Sequence, residues 1–117
     1  MEKKNLDWKH IGFAYHTTDY RYVADYKDGK WQEGYMSDSP NIVLNECAGI
    51  MQYCQEVFEG LKAYETADGR IVTFRSDLNA DRMYHSAERM EMPPFPKERF
   101  IEAVEKVVKA NEAWVPP

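Results

Sequence analysis

The residues whose spacing offers most chemistry are Arg82, Ser86 and Arg89. At i, i+4 and i+7 they share one side of any helix that carries them. Two guanidinium forks beside a hydroxyl would make an anion site, because each fork presents several N–H donors to phosphate or carboxylate oxygens. The ordinary alternative is an exposed arginine paired with a local carboxylate such as Asp77 or Glu88. Glu56 and Glu59, at i and i+3 in the stretch QEVFEGLKAY (55–64), could act as general acid and base, as paired carboxylates do in glycoside hydrolysis, but no second feature of the sequence supports that use. There is no Gly-rich phosphate loop, no serine in a Gly-x-Ser-x-Gly elbow and no Cys-His pair of recognisable spacing. Cys47 and Cys54 stand seven apart with no second pair, so they read as reduced packing thiols. His10, His16 and His85 are too scattered for a metal-ligand set.

The elements that must position these groups are legible in outline. Asp77 is a good N-cap, and Leu78, Met83, Ala87 and Met90 form a broken apolar stripe, which predicts a helix from Asp77 that Pro93-Pro94 stops. Ile50, Cys54, Val57, Phe58 and Leu61 recur at helical spacing between Cys47 and Gly60, predicting a short helix with Phe58 at its C-terminal end. The clearest helix follows Pro96, from about Lys97 to Trp114, with Phe100, Ile101, Val104, Val107 and Val108 on one side and Glu-to-Lys i, i+4 pairs on the other. Asp28-Gly29 and Asp68-Gly69 each separate two apolar or aromatic runs, which predicts two antiparallel hairpins with two-residue turns in which both central residues take positive φ. Gly12–Tyr15 and Asn41–Leu44 read as further short strands. The expected fold is α+β, a two-layer small domain with a largely antiparallel sheet and packed helices. Its expected core comprises Val23, Ile42, Leu44, Ile50, Val57, Val72, Phe74, Phe100, Val104 and Val107.

With 117 residues, 44% of them hydrophobic, the sequence is long enough for one domain with a core of its own. A net charge of −5 argues against the broad basic face that nucleic-acid binding needs. No apolar run reaches 18 residues and the N-terminus lacks a signal-peptide core, so neither a membrane nor export is expected and the location reads as cytoplasmic.

Taken in order, these segments resemble a known family. Asp7-Trp8-Lys9-His10-Ile11-Gly12-Phe13, Tyr20-Arg21-Tyr22, the run from Gln52 to Tyr64, Phe74-Arg75, Asn79-Ala80-Asp81-Arg82-Met83, Ser86-Ala87-Glu88-Arg89 and the stretch from Ala110 to Pro117 are similar to the N-terminal part of branched-chain amino acid aminotransferases. The resemblance covers almost the whole chain. It implies the small N-terminal domain of a fold-type IV enzyme dependent on pyridoxal phosphate, residues 1–117, with residues 1–19 as an extension and the larger lysine-bearing domain absent. In that family the arginine matching Arg82 binds the cofactor phosphate. The residues matching Tyr53 and Phe58 line the pocket for the substrate side chain, and Gly60 would permit a sharp exit into the next strand. In the complete enzyme the resemblance implies amino transfer from Leu, Ile or Val to 2-oxoglutarate, and a homo-oligomer. Two departures stand out: Gln52-Tyr53-Cys54 replaces the family's usual His-Tyr-Gly, and Arg75-Ser76-Asp77 its Arg-Pro-Asp. None of the nine lysines matches the one that holds the cofactor covalently. The chain alone is therefore expected to be inactive and not to retain pyridoxal phosphate. The alternative is a non-enzymatic binding domain that keeps the fold.

Overall fold

The computed structural model describes residues 2–116. Its first hairpin comprises β1 (Arg21–Val23), β2 (Tyr26–Lys27), β3 (Lys30–Trp31) and β4 (Tyr35–Ser37). Asp28 and Gly29 both take positive φ, 52° and 76°, and close β2 onto β3 with Lys27 opposite Lys30. Further out, β1 pairs with β4 with Val23 opposite Tyr35, so the second strand gains one residue between the two ladders. That extra residue makes a bulge around Gln32–Gly34. The Tyr22 phenol fills the space beside Gly34, and a Cβ there would require that ring to move.

The second hairpin, β5 (Ala63–Glu65) with β6 (Ile71–Thr73), turns differently from the prediction. Thr66 N–H donates to Arg70 O across a three-residue loop, Ala67-Asp68-Gly69, and of these Gly69 alone has positive φ, 81°. Asp68 stays on the ordinary side of the map and accepts from Thr66 Oγ1 and Arg70 Nε. Asp-Gly thus located both turns but fixed the loop length in one.

Three helices follow the predicted order: α1 (Gly49–Tyr53), α2 (Ser76–Arg89) and α3 (Lys97–Ala110), with a 3-10 turn at Glu112–Trp114. The fold is α+β, with antiparallel two-stranded ladders against a helix pair. α2 begins one residue before Asp77, and its cap is Arg75 in the left-handed region, φ 51°. Asp77 lies in the first turn and receives the Arg75 guanidinium instead. α2 ends before the prolines. Met92 N–H reaches Ala87 O and Glu91 N–H reaches Glu88 O, with Glu91 at φ 52°, a Schellman closure without glycine.

The core differs from the expected one. Among the described residues Ala80, Ala87, Ala113 and Val115 are the buried apolar ones, joined by Asn79 and Asn111. Ile42, Leu44, Ile50, Val72 and Phe74 are exposed, Phe74 by 82%, and Leu78 and Met90 are also open to solvent. Val23, Val57, Phe100, Val104 and Val107 are half-buried. The stretches Gly12–Tyr15 and Asn41–Leu44 are neither helix nor strand, because they find no partner strand among the described residues. Hydrophobicity marks these residues as wanting cover without saying what covers them.

Polar contacts do much of the joining. Asn111, 7% exposed, accepts from Tyr20 N–H and donates to Tyr20 O and Val107 O, tying the start of the first hairpin to the end of α3. Lys3 Nζ donates to Glu112 O and Val115 O and pairs with Glu65 at 2.9 Å. Trp31 Nε1 donates to Pro94 O, with the ring edge-on to Phe95 at 4.9 Å.

Candidate functional site

α1 is shorter than its apolar pattern predicted. It ends at Tyr53, and Cys54 closes it in the left-handed region, φ 51°, with its N–H on Ile50 O. A left-handed residue cannot continue the helix, so Gln55 to Lys62 runs on without helix or strand and Phe58 is not at a helix end. Cys54 therefore occupies a conformation that glycine adopts at least cost. Both cysteines are exposed rather than packed.

The segment is held to the domain by polar groups. Gln55 Nε2 donates to Met90 O at 2.9 Å. Asn79, 7% exposed on α2, donates through Nδ2 to Glu59 Oε1 at 2.8 Å and to Gly60 O at 3.0 Å. Arg82, one turn further along the same face of α2, grips the same carboxylate twice: Nε to Oε2 at 3.1 Å and Nη2 to Oε1 at 2.7 Å. Glu59 is 11% exposed in its side chain and Arg82 59%, so the carboxylate sits inside the contact and the guanidinium emerges from it. The hydrogen bonds from Arg82, and behind them that from Asn79, hold the Glu59 carboxyl below its ordinary 4.5 against the upward push of burial. The same contact raises Arg82 further.

Sequence-predicted residues thus meet unequally. Arg82 finds neither of its expected local partners: Asp77 pairs with Arg75 and Glu88 with His85. Its partner lies 23 residues away. Arg89 lines a surface cleft with Tyr53, Gln55, Met90 and Glu91, while Arg82 turns to Glu59, so no single arginine row around Ser86 results. Glu59 is engaged by Arg82 and Asn79 while Glu56 is exposed, which removes the carboxylate-pair reading. Phe58 is 89% exposed and Tyr53 85% exposed. Gly60 does not take positive φ, so the path into β5 does not depend on a left-handed backbone there. A Cβ there would stand 3.4 Å from Phe58 Cζ, so the glycine leaves room beside the phenylalanine ring.

Sequence reasoning did not single out Asn79, and it considered Glu59 only as a partner of Glu56 and not as the carboxylate that holds Arg82. The available signal was Asn79 and Arg82 at i, i+3 on one helix face; the remote carboxylate they share is invisible to spacing. Among the described residues no group of His, Cys, Asp and Glu comes together to hold a metal, and no helix is long and apolar enough to cross a membrane.

No family model matches the chain. Whole-sequence comparison is more informative. The chain is 46% identical over 114 residues to a branched-chain-amino-acid aminotransferase of Haemophilus influenzae, 97% of this chain and 33% of that protein. It is 42% identical to the corresponding enzyme of Helicobacter pylori, over 97% of this chain and 34% of that protein. It is also 42% identical to a methionine aminotransferase of Arabidopsis thaliana, over 97% of this chain and 32% of that protein. The chain spans about a third of the length of the curated relatives it matches. It belongs to the branched-chain aminotransferase family, as a portion corresponding to the N-terminal third of such a protein.

Proposed function

We propose that this chain is the small domain of a pyridoxal-phosphate-dependent branched-chain aminotransferase, in which Arg82 meets the cofactor phosphate and Tyr53 and Phe58 form part of the wall around the substrate side chain. Residues 1–19 are an N-terminal extension to that domain. The observation that carries the reading is the state of Arg82. Its Nε and Nη2 are fixed on a largely buried carboxylate, while Nη1 has no partner among the described residues and the side chain stays exposed. A guanidinium so held offers a phosphate a fork whose ordering cost has already been met.

The donors here fit a phosphate as one anchor. A full cradle needs further N–H groups, and Arg82, in the middle of α2, has no helix N-terminus to supply them. When bound, pyridoxal phosphate supplies the electron sink that lets an amino acid exchange its amino group. Arg82 would fix the phosphate end, and Phe58 and Tyr53, both largely exposed, would become covered by an aliphatic side chain and by the remainder of the enzyme. Leu, Ile or Val with 2-oxoglutarate is the proposed substrate set, the assembled protein a cytoplasmic homo-oligomer. The methionine-specific name among the relatives is why the pocket-wall residues need direct testing.

The test is leucine-to-2-oxoglutarate amino transfer by the purified chain with pyridoxal phosphate, then by the chain combined with a lysine-bearing C-terminal domain of the family. No turnover is expected from the chain alone, since none of its lysines matches the family's cofactor lysine. Activity is expected in the combination, with Arg82→Ala removing most of it through weaker cofactor retention and Phe58→Ala chiefly altering the preference among aliphatic substrates. Turnover by the chain alone, or full activity in both variants, would refute the assignment.

A further inference from the structure

Glu59 occupies one edge of Arg82, and which edge it takes decides what the guanidinium can still hold. Of the five N–H donors on a guanidinium, Glu59 takes one from Nε and one from Nη2, the side edge. The end of the fork remains, formed by Nη1 and the second hydrogen of Nη2. Glu59 is itself fixed, because Asn79 Nδ2 donates to its Oε1 and to the next carbonyl, Gly60 O. Asn79 is nearly buried, so this bracket is built into α2 rather than lying loosely on it. Glu59 also follows Phe58 directly in the chain.

We propose that Glu59 is a positioning residue: its carboxylate holds the side edge of Arg82 so that the end of the fork receives the phosphate, and its backbone ties that anchor to the segment carrying Phe58. This rests on the phosphate-anchor reading of Arg82. In this arrangement carboxylate and phosphate bind opposite parts of one guanidinium at the same time, and the phosphate does not displace Glu59. Asn79 supports the carboxylate from behind, its amide donating to Glu59 Oε1 and Gly60 O and not to Arg82. The cation–carboxylate contact is two-pronged, which fixes the plane of the guanidinium as well as its place.

The arginine side-chain N–H signals of the 15N-labelled chain report this directly, with Arg82→Lys assigning the Arg82 resonances by their loss. Without any anion, the Arg82 Nε–H signal is expected to be slow to exchange in the native chain and to lose that protection in Glu59→Gln. Titration with inorganic phosphate is expected to shift the Arg82 Nη signals of the native chain and leave Nε in place, whereas in Glu59→Gln the shift spreads to Nε. Glu59→Asp, which keeps the charge but withdraws it by one methylene, covers the case in which the glutamine variant fails to fold, and reduced Nε–H protection is expected there too. Nε protection unchanged in whichever variants fold would overturn the proposal. So would a native Nε signal that phosphate drives to its Glu59→Gln position, which would make Glu59 a competitor of the anion. If Nε depends on Glu59 but phosphate moves no Arg82 signal, the anchor reading fails and the positioning role falls with it.

Discussion

The α2–α3 pair and the segment from Cys54 to Lys62 obey different rules. The helix pair carries a broken apolar stripe on α2 and a regular one on α3, two of the buried alanines and the most extensive contact between elements. The segment has no regular hydrogen-bond ladder, presents Phe58 to solvent and is pinned by Gln55, Glu59 and the Gly60 carbonyl. Apolar burial is non-directional and tolerates slippage, while a bidentate ion pair with a bracketing amide fixes both position and plane. The proposed site thus joins Phe58 and Glu59, on the segment held by directional contacts, to Asn79 and Arg82 on α2, which supplies the platform.

Removing polar anchors should expose that difference, most strongly away from the site. Asn111→Ala leaves Tyr20 N–H and C=O without their partner and should lower the unfolding free energy by about 2 kcal/mol. Urea unfolding measures it, and an unchanged midpoint would show that burial alone holds the hairpin to α3. Asn79→Ala should cost about 1 kcal/mol, because its two acceptors lie on a segment that can turn to water. Amide exchange should accelerate across residues 55–62 and stay slow in α3. Acceleration shared equally by both would erase the distinction between the regions.

Acid should release the segment in the same way. The Glu59 carboxyl is lower in the folded chain than its ordinary 4.5, so the unfolded chain takes up the proton first. Its contribution is full well above that value and is lost as pH falls through the lower folded value. Exchange protection at residues 55–62 should therefore fade below about pH 4.5 in the native chain and vary less with pH in Glu59→Gln. Identical pH dependence in both would place the effect on another carboxylate.

A smaller effect of opposite sign is expected at Cys54. Glycine relieves the left-handed strain, worth about 1 kcal/mol, but adds freedom to the unfolded chain, so Cys54→Gly should stabilise by a net of about 0.5 kcal/mol. A loss on thermal unfolding would mean that the thiol makes a contact worth more than the strain. The smallest change belongs to Phe58→Ala, where an 89% exposed ring should leave stability within about 0.5 kcal/mol of the native chain. A larger drop would show that Phe58 serves packing.

Periodicity and turn chemistry were enough to place α2, α3 and both hairpins, because those signals act over three or four residues and need no knowledge of distant partners. The motif series from Asp7 to Pro117 likewise points to the family on the sequence alone. The same local signals misled where a competing local choice won. The left-handed turn at Cys54 cut α1 short despite the apolar pattern beyond it, and the three-residue loop at Asp68-Gly69 satisfied Asp68 through Thr66 and Arg70. The core was misread at Ile42, Leu44 and Phe74, since apolar character states a preference and packing partners decide the outcome. The tertiary structure alone joined Glu59 to Arg82 across 23 residues. That contact depends on where the chain after α1 crosses the face of α2 that carries Asn79 and Arg82, a global path that no residue spacing encodes.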